Sequence, residues 1–535
     1  MKWFQGLRKT RRPVRLLAAP ADPVIGDIDR ARALLKGEIR SGSERFQLAG
    51  ADWSMRSASD AFRTHVHGFL WLRDFAAAVP QDKAADFLLP ILNGWLSAHD
   101  EPEGPAWRPD RAGARIVMWS VHAPYVMGAN PQLRTAALAH MVQAAQHLDT
   151  AAKTVPPGLP TLQAAVGAVA AALLIDGRER GLKRAEKRLS DAIDQLVMAN
   201  GLPTSRAPAD LLDILEWLHL ARTAYQARGA DWPEAQRAAD GRVRAGLRAA
   251  RLGDGSLTAV HGGNIGRSTR IEHALGWPGS ADRSIRPGVD SGLQRMEAGR
   301  TILLLDAGPP PEPTLNPAGH AGALAFEMSD EHERIVVNVG GGRGARGGID
   351  RRLATAVRTT AAHSTLVLAD HNQSAVLEGE PIGAGVAEVG VERDDESADI
   401  RVSASHDGYR RRYGLVHQRD LVLTEDGRLL TGEDRLVQER RKRGRAPLPL
   451  ALRFHLHPGV DVTPTADARG AVLRLHSGAL WQFKAEFGTL SVDESLWIGE
   501  EGAARRTRQL VIADDHVPGS DPDGWSGRWT FRKMG

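Results

Sequence analysis

GHAGALAFEMS (319–329), RTTAAHSTLVLADHNQS (358–374), HDGYRRRYGLVHQRDLVL (406–423) and GEDRL (432–436) decide how this chain is read. They contain short runs in which apolar residues alternate with polar ones, bounded by Gly, Asp or Asn, the pattern of strands with one buried face. Five histidines, His320, His363, His371, His406 and His417, stand at the ends of these runs or among polar residues. Working outward, the same period of two covers 301–305, 334–339, 365–368, 399–404, 414–423, 452–456 and 472–475. Repeated short strands with no helices between them predict an antiparallel β-sandwich.

Upstream the period changes. From Ile28 to about Arg251 apolar residues recur three and four apart in a background of Ala, Leu and Arg, which predicts helices. The candidates are 28–40, 57–78, 82–98, 112–127, 131–152, 160–177, 179–199, 208–229 and 232–251, separated by Pro/Gly segments such as PPGLP (156–160) and NGLPTSRAP (200–208). A chain of 535 residues exceeds one ordinary core, so two large domains are expected. The reading is a basic arm over 1–27, expected to be disordered, a helical domain over 28–285 and a β-sandwich over 286–535.

Composition excludes some chemistries. With no cysteine there is no disulfide, thiolate metal site or cysteine nucleophile. The net charge is +4 with Arg the main cation, suited to bidentate pairing with carboxylate or sulfate and equally to ordinary surface ion pairs. No nucleic-acid module is legible. Six of the first fifteen residues are Lys or Arg, and the following LLAAPA is too short for a signal-peptide core. The longest apolar run, Leu162 to Ile175, contains Gln163 and falls short of the roughly 18 residues a membrane span needs.

The histidine-bearing segments, with FLWLRDF (69–75), AWRPDRAGARIVMWS (106–120) and SRAP (205–208), resemble the heparinase II/III-like family of polysaccharide lyases. The resemblance implies an incomplete α/α toroid followed by an antiparallel β-sandwich, and a periplasmic location, although without a clear signal peptide a cytoplasmic one stays open. It also implies β-elimination on a uronate-containing acidic polysaccharide such as a glycosaminoglycan or an alginate-like polymer. That chemistry needs the uronate carboxylate neutralised, a base for the C5 proton and an acid for the leaving oxygen.

By the family pattern, His320 in GHAGALAFE and His363 in AAHSTLV match two ligands of a structural zinc, and Asn338 stands where the third, an aspartate, is expected. An amide is a poor zinc donor, so His320 and His363 are read either as metal ligands or as hydrogen-bonded structural histidines. Ala318 and Pro203 occupy positions where the active pattern has histidines, and the toroid's tyrosine base has no counterpart between 230 and 300. On the sandwich side, His406 and Tyr409 at the strand-ending HDGY are the candidate acid/base pair, expected at a cleft rim, with Arg410 facing substrate carboxylates; a solvated turn with Tyr409 packed on the sheet is the competing reading. The loop TAVHGGNIGRSTRIEH (258–273) offers His261, Asn264 and His273 to a uronate, or is a plain Gly-rich linker. FHLHPGV (454–460) sets His455 and His457 on one strand face. Two functions follow: a lyase, or a catalytically impaired relative that binds an anionic glycan without cutting it.

Overall fold

The computed structural model describes residues 14–128, 130–151, 154–278, 292–341, 350–438, 446–499, 502–517 and 524–535. Most of the basic arm and most of the Gly-rich stretch 340–348 lie outside them. The arm's second half corrects the sequence reading, because residues 14–27 are ordered: Leu16 and Ile175 form an antiparallel bridge, and Leu17 N–H donates to Leu174 O at 2.8 Å. The chain divides into two compact units, one made of the residues up to Leu196 plus Asp213–Asp240, the other of Val197–Leu212 plus Gly241–Gly535.

The first unit is the α/α-toroid part. Its helices begin where sequence chemistry satisfies their first N–H groups: Ser59 Oγ accepts from Phe62 N–H before Asp60–His67, and Asn130 Oδ1 accepts from Gln132 and Leu133 N–H before Pro131–Thr150. The expected helix over 57–78 is broken into Asp60–His67 and Leu72–Ala78, with Phe69 at φ 57° in the turn. The expected helix over 28–40 stops at Leu35 and gives way to a hairpin of Glu38–Ser41 with Glu44–Gln47. Helix Pro109–Val121 is buried on every side. Helix Leu159–Leu174 crosses it at glycines: a Cβ on Gly167 would lie 2.2 Å from Gly113 Cα, and one on Gly113 only 2.6 Å from Gln163 O, so the two backbones touch. Trp71, Trp107 and Trp119 are core residues rather than sugar platforms.

The second unit contains the β-sandwich. One antiparallel sheet runs, in spatial order, Asp461–Pro464, Gly470–Arg474, Leu480–Ala485, Trp525–Met534, Leu429–Gln438, Leu415–Leu423, Ile400–His406, Val389–Asp394. The other runs Thr489–Ile498, Ala504–His516, Leu448–Leu456, Glu333–Val337, Phe326–Asp330, Thr301–Asp306, Leu293–Ala298, with Leu366–Leu368 paired to Leu448–Leu456. Their inner faces form one core that includes Phe326, Leu421, Leu452, Phe454, Trp481 and Trp529. Strict alternation along Leu415–Leu423 puts His417, Arg419 and Leu421 inward. The register places Arg419 opposite Asp434 and Gly432 opposite Trp529, and a Cβ on Gly432 would meet the indole at 2.0 Å.

A buried histidine, aspartate and arginine cluster

The loop 258–267 turns sharply at His261 (φ 48°) and Gly262 (φ 76°). A Cβ on Gly262 would stand 3.0 Å from Ala318 O and 3.4 Å from His320 Nε2, so glycine is what lets this backbone pass over His320. Asn316 fastens the loop: its amide donates to His261 O at 2.9 Å and to Ser205 O at 3.0 Å. His320 N–H donates to His261 Nδ1 at 3.3 Å, leaving the ring proton on Nε2, 3.1 Å from Asp306 Oδ2 though off the line of a good hydrogen bond. Arg206 (φ 60°) ion-pairs with Asp306 and donates to Gly292 O at 2.8 Å, fitting where side chains at Gly292 and Gly308 would collide with it. Burial would raise the Asp306 carboxyl, but His261 and Arg206 together hold it below its ordinary value.

The pair His320 and His363 faces the same loop. His363 Nδ1 donates to Thr359 O at 2.7 Å, so its Nε2 carries the lone pair and accepts from His320 Nδ1 at 3.0 Å. His363 lies flat on Gly322, and burial pushes its imidazole down to about 4. Asn338 uses its amide oxygen on Ser364 N–H at 2.9 Å. Among the described residues no three His, Cys, Asp or Glu side chains are arranged as metal ligands. As placed, His320, His363 and Asn338 do not fit a zinc ion: the lone pair of His363 and the oxygen of Asn338 are spent inside the protein, and an ion would have to break both bonds.

His406 and Tyr409 are each 1 % exposed, which corrects the expected rim position. The alternation that puts Val402 and Ala404 inward continues to His406, making it a core residue. His406 Nε2 bonds His417 Nδ1 at 3.2 Å, and His417 Nε2 bonds Asp434 Oδ1 at 2.7 Å. Asp434 also accepts from Arg419 Nε at 2.8 Å and Trp529 Nε1 at 2.8 Å; against the upward push of burial, Arg419 and His417 hold its carboxyl down to about 2. Tyr409 donates its hydroxyl to Leu366 O at 2.9 Å. Arg410 is exposed on a short helix, 3.2 Å from Glu388. Asn264 bonds its own turn at Gly266, and His273 sits on a helix, Ser268–Gly276, that the sequence reading had as loop, against Trp277. His455 is tied to Ser495 Oγ and Ala361 O, and His457 packs on Trp497.

Of the residues proposed from sequence, the fold therefore brings His261, His320 and His363 together and leaves Asn264, His273, His406, Tyr409 and Arg410 elsewhere. Asp306, Arg206 and Asn316 belong to the cluster without having been singled out from sequence: Arg206 lies within the SRAP phrase, and Asp306 directly follows the strand expected over 301–305. The other three tyrosines are occupied as well: Tyr125 donates to Val79 O at 3.0 Å, and Tyr225 to Glu186 Oε1 at 2.9 Å, its pKa pushed up by burial. Tyr413 bonds His371 Nδ1 at 2.8 Å. A separate cleft in the helical unit is lined by Arg178, Arg180, Arg184 and Arg188 about Asp149, with Arg178 2.7 Å from that carboxylate.

Residues 280–523 match the family described as heparinase II/III-like, C-terminal. The chain is 28% identical over 539 residues to FtsZ-localized protein C of Caulobacter vibrioides, covering 98% of this chain and 91% of that one. Its fold matches crystal structures of heparinase III (TM-score 0.73, 14% identity, 98% and 88% of the two chains) and of the heparan sulfate lyase HepC from Pedobacter heparinus (TM-score 0.63, 14% identity, 95% and 82%).

Proposed function

We propose that this chain, whose residues 280–523 match the heparinase II/III-like C-terminal family and whose fold is that of heparinase III, works by binding rather than by cleaving, in association with FtsZ as the name of its Caulobacter relative records. One observation carries this reading: all four tyrosine hydroxyls are bonded within the chain, so none is placed to take a C5 proton. Ala318 and Pro203 at expected imidazole positions support the same view. The 28% identity over nearly the whole of both chains also exceeds the 14% shared with the lyases.

A second reading, β-elimination on a uronate polysaccharide, draws support from the His261, His320, Asp306 and Arg206 cluster, where His320 Nε2 carries a lone pair beside the Gly262 turn. One set of measurements separates the two. Purified protein is incubated with heparan sulfate, other glycosaminoglycans and alginate while ultraviolet absorbance of unsaturated uronate is followed, and in parallel is sedimented with assembled FtsZ from its own organism. Co-sedimentation without unsaturated product is expected. Steady product formation that His320→Ala abolishes would instead establish the lyase, and absence of both signals would sink the FtsZ association.

A further inference from the structure

The helical unit encloses a second polar cluster that neither reading uses. His67, Trp95, Trp107, Arg115, Trp119 and His140 are each 1 % exposed or less. The Arg115 guanidinium carbon lies 4.6 Å from the Trp95 ring centre and 5.4 Å from that of Trp107. Its Nε donates to His140 Nε2 at 2.9 Å, and its Nη1 to the carbonyls of His67 and Ala106 at 2.9 and 3.0 Å. The His140 ring is 5.2 Å from Trp95 and 5.4 Å from Trp119, centre to centre.

Hydrogen bonds fix the tautomers. His140 Nε2 accepts from Arg115, so its proton sits on Nδ1; His67 Nδ1 accepts from Trp95 Nε1 at 3.2 Å, so its proton sits on Nε2. Burial keeps both rings neutral, His67 held down to about 2 and His140 well below its ordinary value. His140 Nδ1, His67 Nε2, Trp119 Nε1 and Arg115 Nη2 then present N–H groups that meet no acceptor among the described residues. Arg115 also forms no ion pair with any described carboxylate, and burial alone lowers it to about 9.

Beside these four donors the only other unpaired imidazole nitrogen of the cluster among the described residues is His99 Nε2, on a ring 5.1 Å from that of His67, so donors, one of them a cation, outnumber any acceptor and the set is unbalanced. A water molecule filling it would need acceptors for its own two hydrogens, whereas an anion needs donors only. We propose that this cluster binds one small inorganic anion of halide size, Arg115 supplying the charge and the Trp119, His140 and His67 N–H groups the hydrogen bonds. Indole walls and near-complete burial suit a monatomic ion and shut out a polymer.

The test uses the full chain. Its melting temperature is followed against sodium chloride, with sodium gluconate holding ionic strength constant, for the native sequence and for Trp119→Phe. Melting should rise with chloride and saturate, and the chloride midpoint of Trp119→Phe should lie about tenfold higher, the effect of removing one hydrogen bond to a charge. Crystals of the native chain grown in bromide provide a readout that needs no variant to fold, and should show an anomalous peak beside Arg115 Nη2. Identical melting in both salts, an unmoved midpoint in Trp119→Phe, or a bromide map without that peak would each overturn the proposal.

Discussion

Asp434→Asn is the perturbation whose cost the sandwich core defines best. The carboxylate is fully buried and accepts four bonds: His417 Nε2 and Arg419 Nε on one oxygen, Arg419 Nη2 at 3.2 Å and Trp529 Nε1 on the other. An amide keeps the shape but removes the charge that balances Arg419, and turns one acceptor oxygen into a donor facing other donors. Breaking a buried pair from one side costs about 3–5 kcal/mol, and an orphaned indole N–H adds about 1 kcal/mol. The sum, about 4–6 kcal/mol, rivals the whole stability of a typical domain. Urea unfolding followed by near-ultraviolet circular dichroism should therefore show the sandwich transition of Asp434→Asn collapsing toward zero denaturant. The double substitution Arg419→Met with Asp434→Leu should cost clearly less than the two single changes added, because no charge is then left alone. A loss below about 1 kcal/mol for Asp434→Asn, or strict additivity in the cycle, would refute the reasoning.

Two further outcomes follow from the same packing. His65 and His455 are held down to about 3, His67 to about 2 and His363 to about 4, chiefly by burial, all below the ordinary 6.5. The unfolded chain therefore takes up protons first, so the stabilisation is complete above about pH 6.5 and is lost as pH falls toward those folded values, about 1.4 kcal/mol per group by pH 5.5; melting temperatures that stay flat from pH 7 to 5 would contradict this. Gly167→Ala should destabilise the helical unit by about 1–3 kcal/mol despite alanine's better helix propensity, since its Cβ has only 2.2 Å to Gly113 Cα; urea denaturation monitored by far-ultraviolet circular dichroism would show otherwise if the variant were more stable.

Much of the architecture was legible because it rests on periodicity. The change from a period of 3.6 to one of two near residue 290 announced helices and then strands, and the helix pattern failed where a single backbone residue intervened, as at Phe69, or where a short hairpin took over, as at Glu38–Ser41. The candidate site was legible only in part. His261, His320 and His363 are legible, but Asn316 meets His261 across 55 residues and Arg206 meets Asp306 across 100, a proximity no local pattern encodes. His406 stands in the core rather than at a rim because the alternation that marks its strand, with Val402 and Ala404 inward, also assigns it to the inner face.

The ion pair of Asp306 bears on how this protein can be dissected. Arg206 and His261, which hold that buried carboxylate below its ordinary value, precede the stretch that matches the family domain, residues 280–523. A gene fragment cut to that match would encode the aspartate without either partner, together with glycines at 292 and 308 shaped for an absent guanidinium. A fragment that keeps this ion pair intact is therefore the compact unit itself, Val197–Leu212 together with Gly241–Gly535, rather than the matched stretch alone.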